Sequence, residues 1–398
     1  MTQPSSPLAG VRIADFTIHA AGPFCTHLLS QLGAECIKIE SKTRPDAFRK
    51  PHAVYGRMTA ATFDQVSANK LSVRLNLKTA EGVALAKRLV GVSDVAAESF
   101  RPGVMGRLGL GFEALRQVRA DLIMLSLSSS GQTGPDSHFA GYAPLFGAWG
   151  GLGWMSGYTD GPPVEMRHVM DHSAGLHAVV ATLGALHERR RTGRAQHVDV
   201  AAREVASAMI GDALVQASAG QAPERPGNAD PGMAPHGVYA TAAPDRWLTL
   251  AVRSDAQWRA LARMIGLADE PRFATAAGRL RYAADIDERV TRWAATCDAD
   301  ATAARLQDAG VSAHVSWTMQ DISDDPHLRA RGAVAQVSAP DIPERAAVGI
   351  PARFSRTSEV GIRRLTPALG QDEDYVFGEL LGLSRAQRDD LESRGVIE

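Results

Sequence analysis

The 398-residue chain is 45% hydrophobic and 22% charged, and its 43 basic and 44 acidic side chains leave a net charge of −1. That length is a prior for two or three domains with a large core, and the balance excludes fibrous repeats, long disorder and a general field for nucleic acid or anionic lipid. Three cysteines (Cys25, Cys36 and Cys297) without CxxC spacing make no disulfide framework, the first residues carry no secretory signal, and the most apolar stretch, Ala143 to Tyr158, is broken by Pro144 and five glycines before it could span a bilayer. The expectation is a cytoplasmic enzyme with no membrane or nucleic-acid partner.

In chain order, Val11 to Phe16 reads as a strand and Ala21 to Leu32 as a helix opened by Gly22-Pro23. Glu35 to Ile39 is a second strand. Thr79 caps a helix in which Val83, Ala86, Leu89 and Val90 recur at helical spacing. Asp94 to Ala97 and the apolar run Asp121 to Leu127 are further strands, the latter buried on both faces. This alternation predicts an α/β fold with a parallel sheet and crossover helices. Gly131 to Gly161 is rich in glycine and aromatic residues without a clean period, and it reads as a long functional loop. A helix follows from His172 to Arg191, then a strand at Gln196 to Val200 and an alanine-rich helix to about Ala219. Gln221 to Pro235 holds four prolines and two glycines and reads as a linker. Beyond it come a strand (Arg246 to Val252), two helices (Asp255 to Ile265 and Ala301 to Ala309), a strand (Val311 to Trp317) and an amphipathic helix pair from Gly378 to Ile397.

Several residues invite chemistry. The GAWGGLGWMSG run (Gly147–Gly157) has the glycines of a dinucleotide loop but neither follows a strand nor opens a helix. His168, Asp171 and His172 have metal-ligand types at i, i+3 and i+4, yet a helix starting near Asp171 would splay them. Cys25 and His27 are two apart, which puts them on different helix faces, so a buried small thiol is the plainer reading. Arg189 to Arg191 suit the negative end of a helix. Asp171 precedes Ser173, Ala174 and Gly175, where it would cap a helix; a carboxylate at that place also stays ionised and can serve as a nucleophile.

Taken together, the motifs resemble the class III CoA-transferases, which include formyl-CoA transferase and carnitine CoA-transferase and are similar to alpha-methylacyl-CoA racemase. The likeness is carried by DFTIHAAGPFCTHLLSQLGAECIKIE (Asp15–Glu40), NKLSVRLNLKTAEG (Asn69–Gly82), ESFRPGVMGRLGLGFEAL (Glu98–Leu115), SLSSSGQTGP (Ser126–Pro135), HERRRTGRAQHVDVA (His187–Ala201) and LTPALGQDEDYVFGELLGLS (Leu365–Ser384). The resemblance implies a Rossmann-like large domain built from residues 1–220 and 330–398, a smaller inserted α/β domain at 221–329, and an interlocked homodimer. It also implies a D-x-x-x-G nucleophile, here Asp171 followed by Gly175. The implied CoA-binding positions are Ala20, Ala21, Leu75, Lys78, Ser99, Phe100, Arg101, Arg107 and Tyr142. Departures are Leu71 for arginine in NKRS, Ser99 for asparagine in ENF, Ser41 after K-I-E, and the absence of a tetraglycine loop, which makes oxalate and formate poor substrate guesses.

The implied chemistry needs no permanently bound cofactor or metal, only a coenzyme A thioester as co-substrate and a carboxylic acid. Asp171 would attack the thioester, forming an aspartyl-acyl anhydride and CoA thiolate; succinyl-CoA is a common donor in the family. The protein must position the groups, exclude water and stabilise oxyanions. Arg167 is a candidate for holding a second carboxylate. The main rival, an acyl-CoA racemase, needs an imidazole where this chain has Tyr142, and a phenol is a poor base near neutral pH. A non-catalytic CoA-binding subunit is the weakest rival, because Asp171 is present.

Overall fold

The computed structural model describes residues 6–49, 61–166, 169–339 and 342–398. It comprises two compact units, the first made of residues 1–153, 165–219 and 326–398, the second of 154–164 and 220–325.

The first unit is built on six parallel strands: β1 (Arg12–Asp15), β2 (Glu35–Glu40), β3 (Leu71–Arg74), β4 (Val95–Glu98), β5 (Ile123–Ser128) and β6 (Gln196–Ala201). Their order, β3-β2-β1-β4-β5-β6, is that of a doubly wound sheet. The order reverses between β1 and β4, the place where sheets of this kind carry a ligand crevice at their carboxyl ends. Alternating side chains divide the core. Ile13, Val95, Ala97, Ile123 and Leu125 pack with helices Ala21–Gln31 and Val169–Thr192 on one face. Ala14, Phe16, Ala96 and Met124 pack with helix Ala80–Gly91 and with Val376, Phe377 and Ile397 of the tail on the other. Thr79 caps helix 80–91 through a bond from the Gly82 amide.

The structure adds several elements to the sequence reading, and three of them bear on the first unit. β3 is a strand that LSVR, with Ser72 and Arg74 alternating, does not announce by hydropathy. A strand pair at Val334–Ala339 and Ile342–Val348 also went unread. Within the stretch read as a loop, Ala143–Gly150 is a helix. Its glycines disguise it because they are packing contacts: a methyl on Gly150 would lie 2.3 Å from Ala206 Cβ and 2.6 Å from the Arg203 carbonyl of helix Ala202–Met209. Gly151, at φ 85°, ends the helix. The dinucleotide reading of this run is therefore replaced by close helix packing.

The second unit carries an antiparallel sheet of β7 (His236–Ala240), β8 (Trp247–Ala251) and β9 (Ser312–Val315). Leu248 and Leu250 alternate inward on β8 and meet Trp258, Leu261, Val290 and Leu306 from three helices. Helix Asp255–Ile265 opens with a capping box between Ser254 and Gln257 and closes on left-handed Gly266.

Candidate active site

The expected CoA positions lie on connections that leave the carboxyl ends of the strands. Ala20 and Ala21 follow β1, Leu75 and Lys78 follow β3, Ser99 to Arg101 follow β4, and Tyr142 follows β5. Four stretches far apart in sequence thus come to one edge of the sheet, two of them flanking the β1–β4 crevice.

A buried ionic lattice holds this edge. Lys70 Nζ lies 3.0 Å from Asp15 Oδ2, both side chains fully buried. Asp15 also accepts from the Thr17 amide at 2.9 Å, the Thr17 hydroxyl at 2.5 Å and the Thr26 hydroxyl at 2.8 Å. Burial pushes the Asp15 carboxyl up, but Lys70, Lys38 and the Thr17 hydroxyl outweigh it and hold it at about 2. Lys38 Nζ lies 2.9 Å from Asp46 and donates to the Thr17 carbonyl at 2.7 Å. The loop after β1 is therefore anchored at Thr17 from two sides. Asn69, left-handed at φ 66°, donates to the Gly361 carbonyl and accepts from the Arg363 and Arg364 amides, which sets the adjacent Lys70 in place. The NK pair of the NKLS motif has a structural job.

Asp171 stands in the first turn of helix 169–192. It lies inside the helix, which begins by Val169, so the expectation of an N-cap is corrected. The partial charge at that end still favours its anion. One turn on, Gly175 is fully buried where a methyl would meet the Phe24 ring at 2.8 Å and the Ala21 carbonyl at 2.9 Å. His172 packs edge-on against the same Phe24, ring centres 4.4 Å apart. Asp171 and Gly175 share a helix face, so Asp171 stands one turn before the place where this helix closes on the start of helix 21–31. Arg167 and His168 lie outside the described residues, and with them the acceptor-binding reading and the first ligand of the metal reading.

The remaining positions differ in what they offer. Ala20 is half-buried and Ala21 buried. The Leu75 side chain is sunk in the core at 1% exposure, which leaves only its backbone for a ligand. Lys78 is exposed on the turn that Asn76 ties to the Gly395 and Val396 carbonyls. Phe100 packs at the rim of the core, Arg101 is exposed, and the Arg107 guanidinium folds over Gly103 of the same turn. Tyr142 is 69% exposed, its ring edge-on to His19 at 5.9 Å. Sequence reading missed His19, held at φ 64° in the loop after β1. It also missed Glu98, a carboxylate 3% exposed at the end of β4. Burial raises that group to about 7, against hydrogen bonds from Ser126 and the Phe100 amide that lower it.

Other candidates resolve into structure. His27 is buried with Nδ1 on the Ala68 carbonyl and Nε2 on Gln31, and burial lowers it to about 4. Cys25 is buried and its thiol is pushed up by burial. Arg189 binds Asp94, and Arg191 binds Glu188.

Comparison with known proteins identifies the family. The profile described as CoA-transferase family III matches residues 8–373. The succinyl-CoA–D-citramalate CoA-transferase of Chloroflexus aurantiacus is 35% identical over 402 residues, 99% of each chain. The succinate–glutarate CoA-transferase of Agrobacterium fabrum is 31% identical over 390 residues, 95% of this chain and 97% of that one. A solved CaiB/BaiF family protein from Brucella suis superposes with a TM-score of 0.86 at 29% identity, over 95% of this chain and 100% of its own. The chain belongs to CoA-transferase family III and is an enzyme of CoA transfer.

Proposed function

We propose that the enzyme moves CoA from succinyl-CoA to a second carboxylic acid, with Asp171 as the nucleophile. The observation that supports this reading is the seat of Asp171: a first-turn carboxylate one turn before Gly175, which packs against the start of helix 21–31 where the expected CoA positions Ala20 and Ala21 lie. Asp171 attacks the thioester carbonyl and the C–S bond breaks, which leaves a mixed anhydride and CoA thiolate. The acceptor carboxylate attacks the anhydride and succinate leaves, so that Asp171 now carries the acceptor acyl group. CoA thiolate then attacks that carbonyl and frees the Asp171 carboxylate. No proton or electron is left over, so the cycle balances with the CoA thioester and the acceptor acid alone. Ala20 and Ala21, Leu75, Lys78, Ser99 to Arg101, Arg107 and Tyr142 surround the CoA. The names of the two relatives, one a succinyl-CoA–D-citramalate and the other a succinate–glutarate CoA-transferase, support succinyl-CoA.

The decisive variant is Asp171→Asn. A neutral amide forms no anhydride, so CoA transfer should fall by orders of magnitude while the melting temperature stays within a few degrees. Hydroxylamine with succinyl-CoA should turn Asp171 of the parent enzyme into a hydroxamate, read by peptide mass. Near-normal turnover by Asp171→Asn would overturn the mechanism. One observation favours a second reading, the acyl-CoA racemase: His19 places an imidazole against Tyr142. Running the assay in heavy water with a chiral 2-methylacyl-CoA separates the two, since only a racemase washes deuterium into the alpha carbon.

The working form is proposed to be a cytoplasmic homodimer. Among the described residues no helix is long and apolar enough to cross a membrane. Leu176 and Val180 on helix 169–192 are 51% and 70% exposed, and Leu214 and Val215 on helix Gly211–Ser218 are 62% and 67% exposed. Such apolar stripes fit a surface that a second copy covers.

A further inference from the structure

We propose that Ser99 is a positioning residue rather than a CoA ligand: its hydroxyl clasps Ile18 and so sets the β1 side of the CoA crevice. This rests on the reading that CoA lies at the carboxyl ends of β1 and β4.

The hydrogen-bond inventory supports this. A serine hydroxyl has one O–H to donate and two lone pairs. Here the Ile18 amide donates to Ser99 Oγ at 2.9 Å, and Ser99 Oγ donates to the Ile18 carbonyl at 3.0 Å. The only donor is therefore engaged. The phosphates and carbonyls of CoA accept and do not donate, so the closed clasp has no proton left for them and could meet CoA only through its one free lone pair.

What the clasp holds is a loop in an uncommon conformation. Thr17 is anchored by Asp15 and Lys38, and Ile18 by Ser99 through both of its backbone polar groups. The next residue, His19, is left-handed at φ 64°, which non-glycine residues seldom adopt unless their surroundings enforce it. Its ring stands edge-on between Tyr142, at 5.9 Å, and Phe48, at 6.2 Å. Ala20 and Ala21 follow directly. Gly22 completes the fit, because a methyl there would lie 2.9 Å from Ser99 Cβ and 2.7 Å from Thr17 Cβ. A hydroxyl carried directly on Cβ suits this narrow seat. The asparagine that the resemblance leads one to expect is longer and would present an amide into the crevice instead.

The test compares Ser99→Ala and Ser99→Cys with the parent chain. Hydrogen exchange of the Ile18 amide is followed by mass spectrometry, and binding of free coenzyme A by calorimetry. Cysteine fills the serine's space with a much weaker hydrogen-bonding group, so it separates bonding from packing and serves if the alanine variant folds poorly. Both variants should exchange Ile18 about tenfold faster and bind coenzyme A about tenfold more weakly, the scale of one or two lost hydrogen bonds, with the melting temperature nearly unchanged. Weakened binding with Ile18 exchange unchanged would make Ser99 a direct ligand and overturn the clasp. Parent-like behaviour of Ser99→Cys would reduce the role to packing and overturn it too. Arg101→Ala tells the two readings apart: if it weakens coenzyme A binding while Ser99→Ala does not, the clasp fails and the crevice stands; if neither changes binding, the crevice reading fails as well.

Discussion

At the scale of single residues, the sequence exposed chemistry better than electrostatic setting. Asp171, the proposed nucleophile, stood out through the D-x-x-x-G context that the resemblance implies, although its place within the first turn depended on where the helix begins. Asp15, Lys70 and Glu98 were not legible as charged core residues, since burial is created by strands distant in the chain. Asp15 and Glu98 end neighbouring strands and titrate in opposite directions. Asp15 has two lysines to pair with. Glu98 is pressed up by burial, with Asp199 nearby adding to the rise. For Glu98 the sign follows from linkage: a carboxyl raised from 4.5 to about 7 stabilises the fold most below its unfolded value, and that contribution is lost as pH rises through about 7. Glu98→Gln keeps an acceptor for the Phe100 amide without the titration. Thermal melts at pH 5 and pH 8 should show the variant close to the parent at the lower pH and more stable at the higher, by up to about 3 kcal/mol. A variant less stable at both would show that the Glu98 anion is well accommodated.

Elements were legible where one face decides them. The continuous apolar run of β5, the capped helix 80–91 and helix 255–265 needed no tertiary information. Helix 143–150 stayed hidden because glycine lowers helical propensity, and its reason for being there is a neighbouring backbone. The same physics governs the pairing of helices 21–31 and 169–192, where Gly175 lets the second helix approach the Ala21 carbonyl. Backbone cannot yield as a flexible side chain does. Gly175→Ala should therefore push the helices apart and lower stability by about 1–3 kcal/mol. Because Asp171 is one turn away on the same face, transfer activity should fall further, by about a hundredfold, as expected for a displacement near 1 Å. Urea titration and steady-state rates on one preparation check both. Full activity in a folded Gly175→Ala chain would show that this contact does not set the position of Asp171.

For the molecule as a whole, strand and helix in alternation announced a parallel sheet, but not its order. Order matters because the reversal between β1 and β4 puts the crevice where Ile18 and Ser99 meet, and the β1–β4 pairing unites residues some eighty positions apart. The resemblance supplied the expected CoA positions, and the fold explains why the stretches that carry them converge. It leaves Leu176, Val180, Leu214 and Val215 exposed on the first unit, although apolar side chains grouped on helix faces ordinarily find a cover. If a second copy supplies it, sedimentation should give twice the 42.4 kDa mass of the chain. A charge at Val180 or Leu214 meets mostly solvent within one protomer and should disturb its folding little. At an interface the same charge would be buried without a partner, a penalty of several kcal/mol. Val180→Glu with Leu214→Glu should thus shift the sedimenting species to the single-chain mass at micromolar concentration, with far-ultraviolet circular dichroism retained. A parent protein that already sediments as one chain, or a double variant that keeps the parent's mass, would mean that these stripes are not where two copies meet.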